Sequence, residues 1–459
     1  MGPTAPRPPF EKVLIANRGE IALRVIRACR EMGIASVAVY SAADAGQPFV
    51  SAADEAVQIG PAAAASSYLN MPNIIGAALK TGAQAIHPGY GFLSEDPDFA
   101  MVCAEHDLVF VGPPPDVMSD VGNKAIARRL MDEAGLPLLP GTLAPLTSLD
   151  EATRVAADIG YPVILKAAAG GGGRGITVVH APADLPGAYA ATRATALAVF
   201  RDSSVYLERY LGRARHIEVQ VMSDRHGGAV HLGERDCSIQ RRHQKLIEEA
   251  TSPAVSPSLR AELGASALAG ARAVGYEGAG TVEFLLDQDG GFWFMEMNAR
   301  IQVEHPVTEL VTGVDLIQEQ LRVAAGMPLS VAQEDIRFSG HAIECRINAE
   351  DPARGFVPTP GPITELRWPL GPGVRIDAAC DLGTIVSPYY DSMIGKLIVW
   401  GPDRPAAIAR TQRALGEIRI DGRGLKSTVA FHQHVLANAA FRAGDIQTDF
   451  LDRHALLAA

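Results

Sequence analysis

The stretch TVEFLLDQDGGFWFMEMNARIQVEHPV, residues 281–307, decides how this chain folds at its centre. TVEFLLD (281–287) and FWFMEM (292–297) are rich in strand formers and flank Gln288–Gly291, where Asp289-Gly290 is a strong two-residue hairpin signal. That turn sets Glu283 opposite Glu296. Facing carboxylates repel unless a positive charge sits between them. The pair is therefore either a solvated acidic couple or a site for a hard divalent cation, which takes oxygen ligands and substrate phosphates. In an extended chain Glu296, Asn298, Arg300, Gln302 and Glu304 share one parity, with Met297, Ala299, Ile301 and Val303 behind them. An Arg between amides and acids suits bidentate recognition of a small planar anion, and Glu304 is near enough to act as a base. Pro306 argues for a loop rather than a continuing strand after Arg300.

Outward from this centre, the 459 residues imply two to four structural units. Hydrophobic content of 47% with 20% charged residues is that of a globular enzyme, and a net charge of −11 speaks against nucleic-acid binding. Five scattered cysteines without a CxxC point to reduced thiols in a cytoplasmic protein. The start, MGPTAPRPPFEK, reads as a loose tail and not a signal peptide, and no run of about 18 apolar residues suggests a membrane span.

KVLIA (12–16), a helix over 21–33 and ASVAVY (35–40) follow a strand-helix-strand order, which implies a doubly wound parallel sheet. The pattern continues through helices near 71–81 and 97–106 and the strand DLVFVG (107–112). HPGYGFLSE is no dinucleotide loop, because Ser94 replaces the third glycine of G-x-G-x-x-G. Pro113-Pro114-Pro115 marks a boundary, followed by helices over 123–135 and 149–159 and by YPVILKA. Gly170–Gly173 with Gly175 lie between two strands. They are either a flexible hairpin tip or a cradle of backbone N–H groups for phosphates, and Lys166 beside them favours phosphate. Glu208, in VYLERYL (205–211), and the Arg209 backbone could meet an adenine amino group at a hinge. GERDCSIQRRHQKLIEEA (233–250) is charged in both signs, and its RRHQK core reads as a solvated loop or a small basic patch, with a second anion site as the better functional reading. In GHAIECRINAED, Arg346 is either a surface cation or a group that stabilises developing negative charge. Helices over 404–417 and 428–438 close the chain.

The motifs IANRGEIALR, HPGYGFLSE, KAAAGGGGRG, GERDCSIQRRHQK, MEMNARIQVEHPVTE, GHAIECRINAEDP and PYYDSMIGKL occur in this order. The chain thereby resembles the biotin carboxylase family of the ATP-grasp superfamily over about residues 11–455. The resemblance implies an α/β fold of three units. These are an N-terminal doubly wound, Rossmann-like domain (1–121), an ATP-grasp domain (122–330) with a mobile glycine-rich lid near 138–211, and a mixed α/β C-terminal domain (331–459). It implies ATP- and Mg²⁺- (or Mn²⁺-) dependent carboxylation of biotin by bicarbonate through carboxyphosphate, the first half-reaction of an acetyl-CoA or acyl-CoA carboxylase of fatty acid biosynthesis. On the same resemblance Lys124, Lys166 and Gly171, Gly172 and Gly173 hold phosphates. Glu208, Arg209, Leu211, His216, Gln240, His243 and Leu285 surround the rest of the nucleotide, and Glu283, Glu296 and Asn298 bind the metal. Arg300, Gln302 and the Val303 backbone bind bicarbonate, Lys245 lies beside it, Glu304 is the base, Arg346 stabilises the biotin enolate and Tyr90 lies near biotin.

No Ala-Met-Lys-Met biotinylation motif occurs, so biotin is expected as a substrate on a separate biotin carboxyl carrier protein. The other expected partners are a second copy of the chain, forming a homodimer, and a carboxyltransferase subunit, with no nucleic acid or membrane. Ala299 and Ala168 depart from the residues common in the family and are expected to alter tuning only. The rival readings are other ATP-grasp ligases and a catalytically silent nucleotide-binding subunit.

Overall fold

The computed structural model describes residues 8–168 and 175–457. The phosphate-cradle expectation for Gly171, Gly172 and Gly173 therefore falls outside the described residues. β1 (Lys12–Ile15), β2 (Ala35–Ser41), β3 (Glu55–Gly60), β4 (Ala85–His87) and β5 (Val109–Phe110) form an all-parallel sheet in the order β3-β2-β1-β4-β5. Val13 and Ile15 pack into one apolar cluster, while Leu14 and Ala16 pack into another. Both faces of β1 are thus covered, as a parallel sheet requires. The triple proline is both a boundary and a start: Pro115 opens a helix, Pro115–Gly122, that the sequence reading missed. Its fixed φ and missing N–H suit a first helical turn.

β6 (Val163–Ala167), β7 (Ile176–Val179) and β8 (Val205–Arg209) make a small antiparallel sheet in the order β7-β6-β8. The helices Leu149–Ile159 and Leu185–Phe200 supply residues to its separate apolar core. Next come β9 (Arg215–Ser223), β10 (Ala229–Arg241), β11 (Gln244–Ala250), β12 (Gly278–Leu286), β13 (Phe292–Asn298) and β14 (His341–Asn348). With the strands Met393–Gly401 and Val374–Ala378 they form one eight-stranded antiparallel sheet, ordered β13-β12-β9-β10-β11-β14-(393–401)-(374–378). Backbone pairing is thus continuous across the boundary expected near 331.

Alternation sorts each strand of this sheet. In β9, Ile217, Val219 and Val221 join the apolar cluster shared with the helix Pro257–Ala273, and His216, Glu218 and Gln220 take the other face. The stretch 233–250 is the β10–β11 hairpin: the RRHQK core is its exposed tip, near Arg242, His243 and Gln244, and the flanks are buried. Their charges are paired inside the protein. Arg235 pairs with Glu218, Asp236 with Arg215, Glu234 with Arg260, and Glu249 with His341 and Arg404. The partners all lie outside the stretch, on β9, on β14 and on the helices Pro257–Ala273 and Arg404–Glu417.

The Glu283–Glu296 pairing forms by a different turn from the expected one. The loop runs from Asp287 to Gly291, closed by the Asp287 N–H donating to the Gly291 carbonyl at 2.8 Å, and Leu286 faces Phe292. A bulge between Phe284, opposite Phe294, and Glu283 restores the register that brings the two carboxylates face to face. Asp287 selects the longer loop by accepting from the N–H groups of Asp289 and Gly291 and from Trp293 Nε1.

Candidate active site

The polar face of the large sheet gathers ionisable groups from distant stretches of sequence. Lys245, on β11, is the hub. Its ammonium contacts Glu218, Glu304 at 2.7 Å and Glu283 at 3.1 Å. Glu283 also accepts from His216 Nε2 at 2.7 Å, Asn298 Nδ2 at 2.9 Å and Gln302 Nε2 at 3.3 Å. Burial alone would raise the Glu283 carboxyl, but Lys245 and His216 outweigh it and hold it far below the usual carboxylate range. Opposite, Glu296 meets Lys124 at 2.7 Å, and that ammonium is the largest reason its carboxyl is lowered. The facing carboxylates are therefore ionised and each is held by an ammonium. An oxygen-rich, anionic set of Glu283, Glu296 and Asn298 fits a hard divalent cation, which would replace positive charge already drawn to the same place.

β13 ends at Asn298, and the chain bends through Arg300 before the helix His305–Thr312 begins. Arg300 donates to Glu95 at 2.9 Å, to Gln302 Oε1 at 2.9 Å and to its neighbour's carbonyl, which keeps the guanidinium beside Gln302. Glu304 occupies the N-cap position of the helix, yet its side chain makes no capping bond and is wholly buried. Its two oxygens go instead to Lys245 Nζ at 2.7 Å and an Arg346 guanidinium nitrogen at 2.8 Å. Burial would raise this carboxyl; Lys245, Arg346 and Arg235 overcome it and hold it well below the usual range. On the other side of Arg346 lies Glu248, at 2.7 Å, and burial pushes that carboxyl up to about 7. Arg346 is thus no surface cation; it is shared between two buried carboxylates.

The small sheet brings Lys166 and Glu208 together at 2.6 Å, and Arg128 holds the second oxygen of Glu208. The Arg209 N–H donates to the Pro140 carbonyl at 2.8 Å, so its carbonyl is the backbone group left for a base. Leu285 is the cross-strand partner of His216, and Gln240 that of Lys245. His243, at the hairpin tip, has a lowered imidazole, through desolvation and then the charges of His216, Lys166 and Lys124, so the tip overhangs the same lysines. Leu211 is half-buried in the connection from β8 to β9. Tyr90 donates its hydroxyl to Glu20, whose same oxygen meets the buried Lys396.

Sequence reasoning missed Glu218, Arg235 and Glu248. Arg235 is fully buried and donates to Glu218, to Gln220 and Thr308 at 2.8 and 2.9 Å, and to Thr281 at 3.2 Å. The available signal for Glu218 was parity, since it stands two places after His216 and alternates with apolar residues; Glu248, three places after Lys245 in the same strand, is at the opposite parity, and alternation gave no signal for it.

Three family models cover the chain in order. They are the biotin carboxylase N-terminal domain over residues 9–118, the carbamoyl-phosphate synthase L chain ATP-binding domain over 123–332, and the biotin carboxylase C-terminal domain over 344–453. The chain is 54% identical over 442 residues to a biotin carboxylase of Nostoc sp., covering 96% of this chain and 98% of that one. It is 52% identical over 446 residues to biotin carboxylase 1 of Bacillus subtilis, covering 97% and 99% of the two chains. Among solved structures it matches the biotin carboxylase domain dimer of Hydrogenobacter thermophilus 2-oxoglutarate carboxylase, in complex with MgADP, ADP and bicarbonate. That match has a TM-score of 0.94 at 46% identity and covers 98% of this chain and 99% of that one. With the facing Glu283 and Glu296, the doubly held Glu304 and these matches end to end, the chain belongs to the biotin carboxylase family of ATP-grasp enzymes.

Proposed function

We propose that this chain carboxylates biotin at N1′ with bicarbonate and ATP, the biotin being borne on a separate carrier protein. The observation that carries this reading is Glu304, set between Lys245 and Arg346 on the face that also bears Glu283 and Glu296. Lys124 and Lys166 bind the ATP phosphates. A Mg²⁺ ion held by Glu283 and Glu296, with Asn298 beside them, would neutralise charge on the transferring phosphoryl group. Arg300, Gln302 and the Val303 N–H orient bicarbonate, and Glu304 takes its proton. The bicarbonate oxygen attacks the γ-phosphate, releasing ADP and forming carboxyphosphate, which breaks down to CO₂ and phosphate. The phosphate removes the N1′ proton of biotin, and Arg346 stabilises the enolate that attacks CO₂.

The electrostatics give this sequence of steps a direction. As arranged here, Lys245 and Arg346 depress the basicity of Glu304. When they turn toward substrate anions that depression is lifted, so the carboxylate gains basicity at the step that uses it. A biotin carboxyl carrier protein and a carboxyltransferase complete the cycle, two copies of the chain form a dimer, and the reaction is cytoplasmic. The test is bicarbonate-dependent ATP hydrolysis stimulated by free biotin. Intact ATP binding with no stimulation by biotin refutes the reading.

A further inference from the structure

Behind the loop that carries Glu304 lies a buried line of contacts that the mechanism does not use. Lys396, on the strand Met393–Gly401, is fully buried. Its ammonium donates to the Val303 carbonyl at 2.8 Å and pairs with Glu20 at 3.0 Å. The same Glu20 oxygen accepts from the Tyr90 hydroxyl, while the other is buried without a partner.

Three further charged groups face this lysine. Arg346 and Asp377 are its cross-strand partners on either side. Asp377 is already held by Arg375 at 2.7 Å. Glu344, two residues before Arg346, is fully buried with no partner for either oxygen, and burial raises its carboxyl well above the usual range. The charge of Lys396 is therefore met chiefly by Glu20, and its hydrogen bond to the catalytic loop goes to Val303. Ile394 and Ile398, at the same parity in the same strand, are buried apolar residues, so the sheet does not need a cation here for packing. A buried ammonium is costly unless it is paired and hydrogen-bonded.

We propose that Lys396 is a positioning residue of the carboxylation centre. It fixes the peptide between Val303 and Glu304 and, through Glu20, couples that peptide to Tyr90. The inference rests on the reading of Glu304 as the base and Tyr90 as the neighbour of biotin. Because the Glu304 side chain takes no part in capping its helix, the helix start does not set its direction. The Val303 carbonyl is the adjoining handle, and a displacement there of about 1 Å is enough to cost roughly a hundredfold in rate.

The test compares Lys396→Met, Lys396→Arg and the charge-balanced double variant Glu20→Gln/Lys396→Met in the full chain. Bicarbonate-dependent ATP hydrolysis, KM for bicarbonate, KM for ATP and melting temperature are measured together. We expect kcat/KM for bicarbonate to fall by roughly 10- to 100-fold in Lys396→Met and in the double variant, with KM for ATP within about twofold and substantial recovery in Lys396→Arg. Bicarbonate kinetics unchanged in the double variant overturn the proposal. So do equal losses for ATP and bicarbonate, or loss of folding in both Met variants, because these describe a purely structural ion pair. A wild-type chain without bicarbonate-dependent hydrolysis overturns the proposed function itself, which separates the two failures.

Discussion

Glu304→Gln tests the reaction centre most directly, because it removes a charge and a proton acceptor while nearly preserving shape. The amide keeps one accepting oxygen, so either Lys245, at 2.7 Å, or Arg346, at 2.8 Å, would face an NH₂ group in place of a carboxylate oxygen. Neither cation is stranded: Lys245 keeps Glu218 and Glu283, and Arg346 keeps Glu248. The stability cost should therefore be that of weakened charge-assisted hydrogen bonds, about 1.5–3 kcal/mol, and not the roughly 3–5 kcal/mol of a cation left alone in the interior. Losing a positioned general base costs about 10²- to 10⁴-fold in turnover. ATP binding should change little, because the phosphate lysines Lys124 and Lys166 contact Glu296 and Glu208 rather than Glu304. The assay is biotin-stimulated, bicarbonate-dependent ATP hydrolysis, with nucleotide affinity measured separately by calorimetry. Turnover within about tenfold of the wild type, below the range expected for a lost general base, refutes the assignment. ATP affinity falling in step with turnover also refutes it.

Three other outcomes follow from the same geometry. Glu296→Gln should raise the Mg²⁺ concentration needed for half-maximal activity by about tenfold or more, consistent with losing one of two anionic ligands, and an unchanged Mg²⁺ requirement would remove Glu296 from the metal site. Arg235→Met should destabilise the fold by about 3–5 kcal/mol in urea denaturation, because Glu218 would lose its buried guanidinium partner; a loss below about 1 kcal/mol would show that Lys245 alone suffices. His87 and His432 should also pull stability down on mild acidification, against the opposite pull of the raised Glu248 and Glu344 carboxyls. Burial lowers both His87 and His432 to about 4, against about 6.5 in an unfolded chain, so the unfolded state binds more protons between these values. Their contribution, of order 3 kcal/mol each, is complete above pH about 6.5 and is lost as pH falls toward 4; His432→Gln should remove its share of that loss, and a difference in melting temperature between variant and wild type that does not change with pH across the window would contradict it.

Much of the site was legible because alternation and pairing are short-range rules. Glu283 and Glu296 could be placed opposite each other from sequence, even though the loop is longer than Asp289-Gly290 alone suggested and a bulge corrects the register. The pairing is right despite the wrong turn because the bulge between Glu283 and Phe284 offsets the longer loop; the turn differs because the carboxyl group of Asp287 draws backbone N–H groups into it, a local effect that dipeptide preferences do not carry. The burial of the charges flanking RRHQK in 233–250 was not legible, for a different reason. A charged residue is normally a mark of solvent, and only long-range partners such as Glu218 for Arg235 or Arg404 for Glu249 reverse that meaning. Arg346 and Glu304 lie 42 positions apart, and their contact depends on a sheet order that no local pattern reveals.

That sheet order limits how the enzyme can be taken apart. β11 and β14 pair through Ile247–Cys345, Glu248–Glu344, Glu249–Ile343 and Ala250–Ala342. A fragment cut before His341 would leave β11 as a bare edge, with a row of open N–H and C=O groups inviting another chain. It would also lose Arg346 and leave the carboxyl of Glu248 unanswered in the interior. The ATP-handling portion is therefore not a transplantable cassette. An engineered chimaera would need to exchange sequence outside the ladder or carry the whole sheet across, and a new carboxylase arises more readily by joining further chains to its ends than by dividing it in the middle.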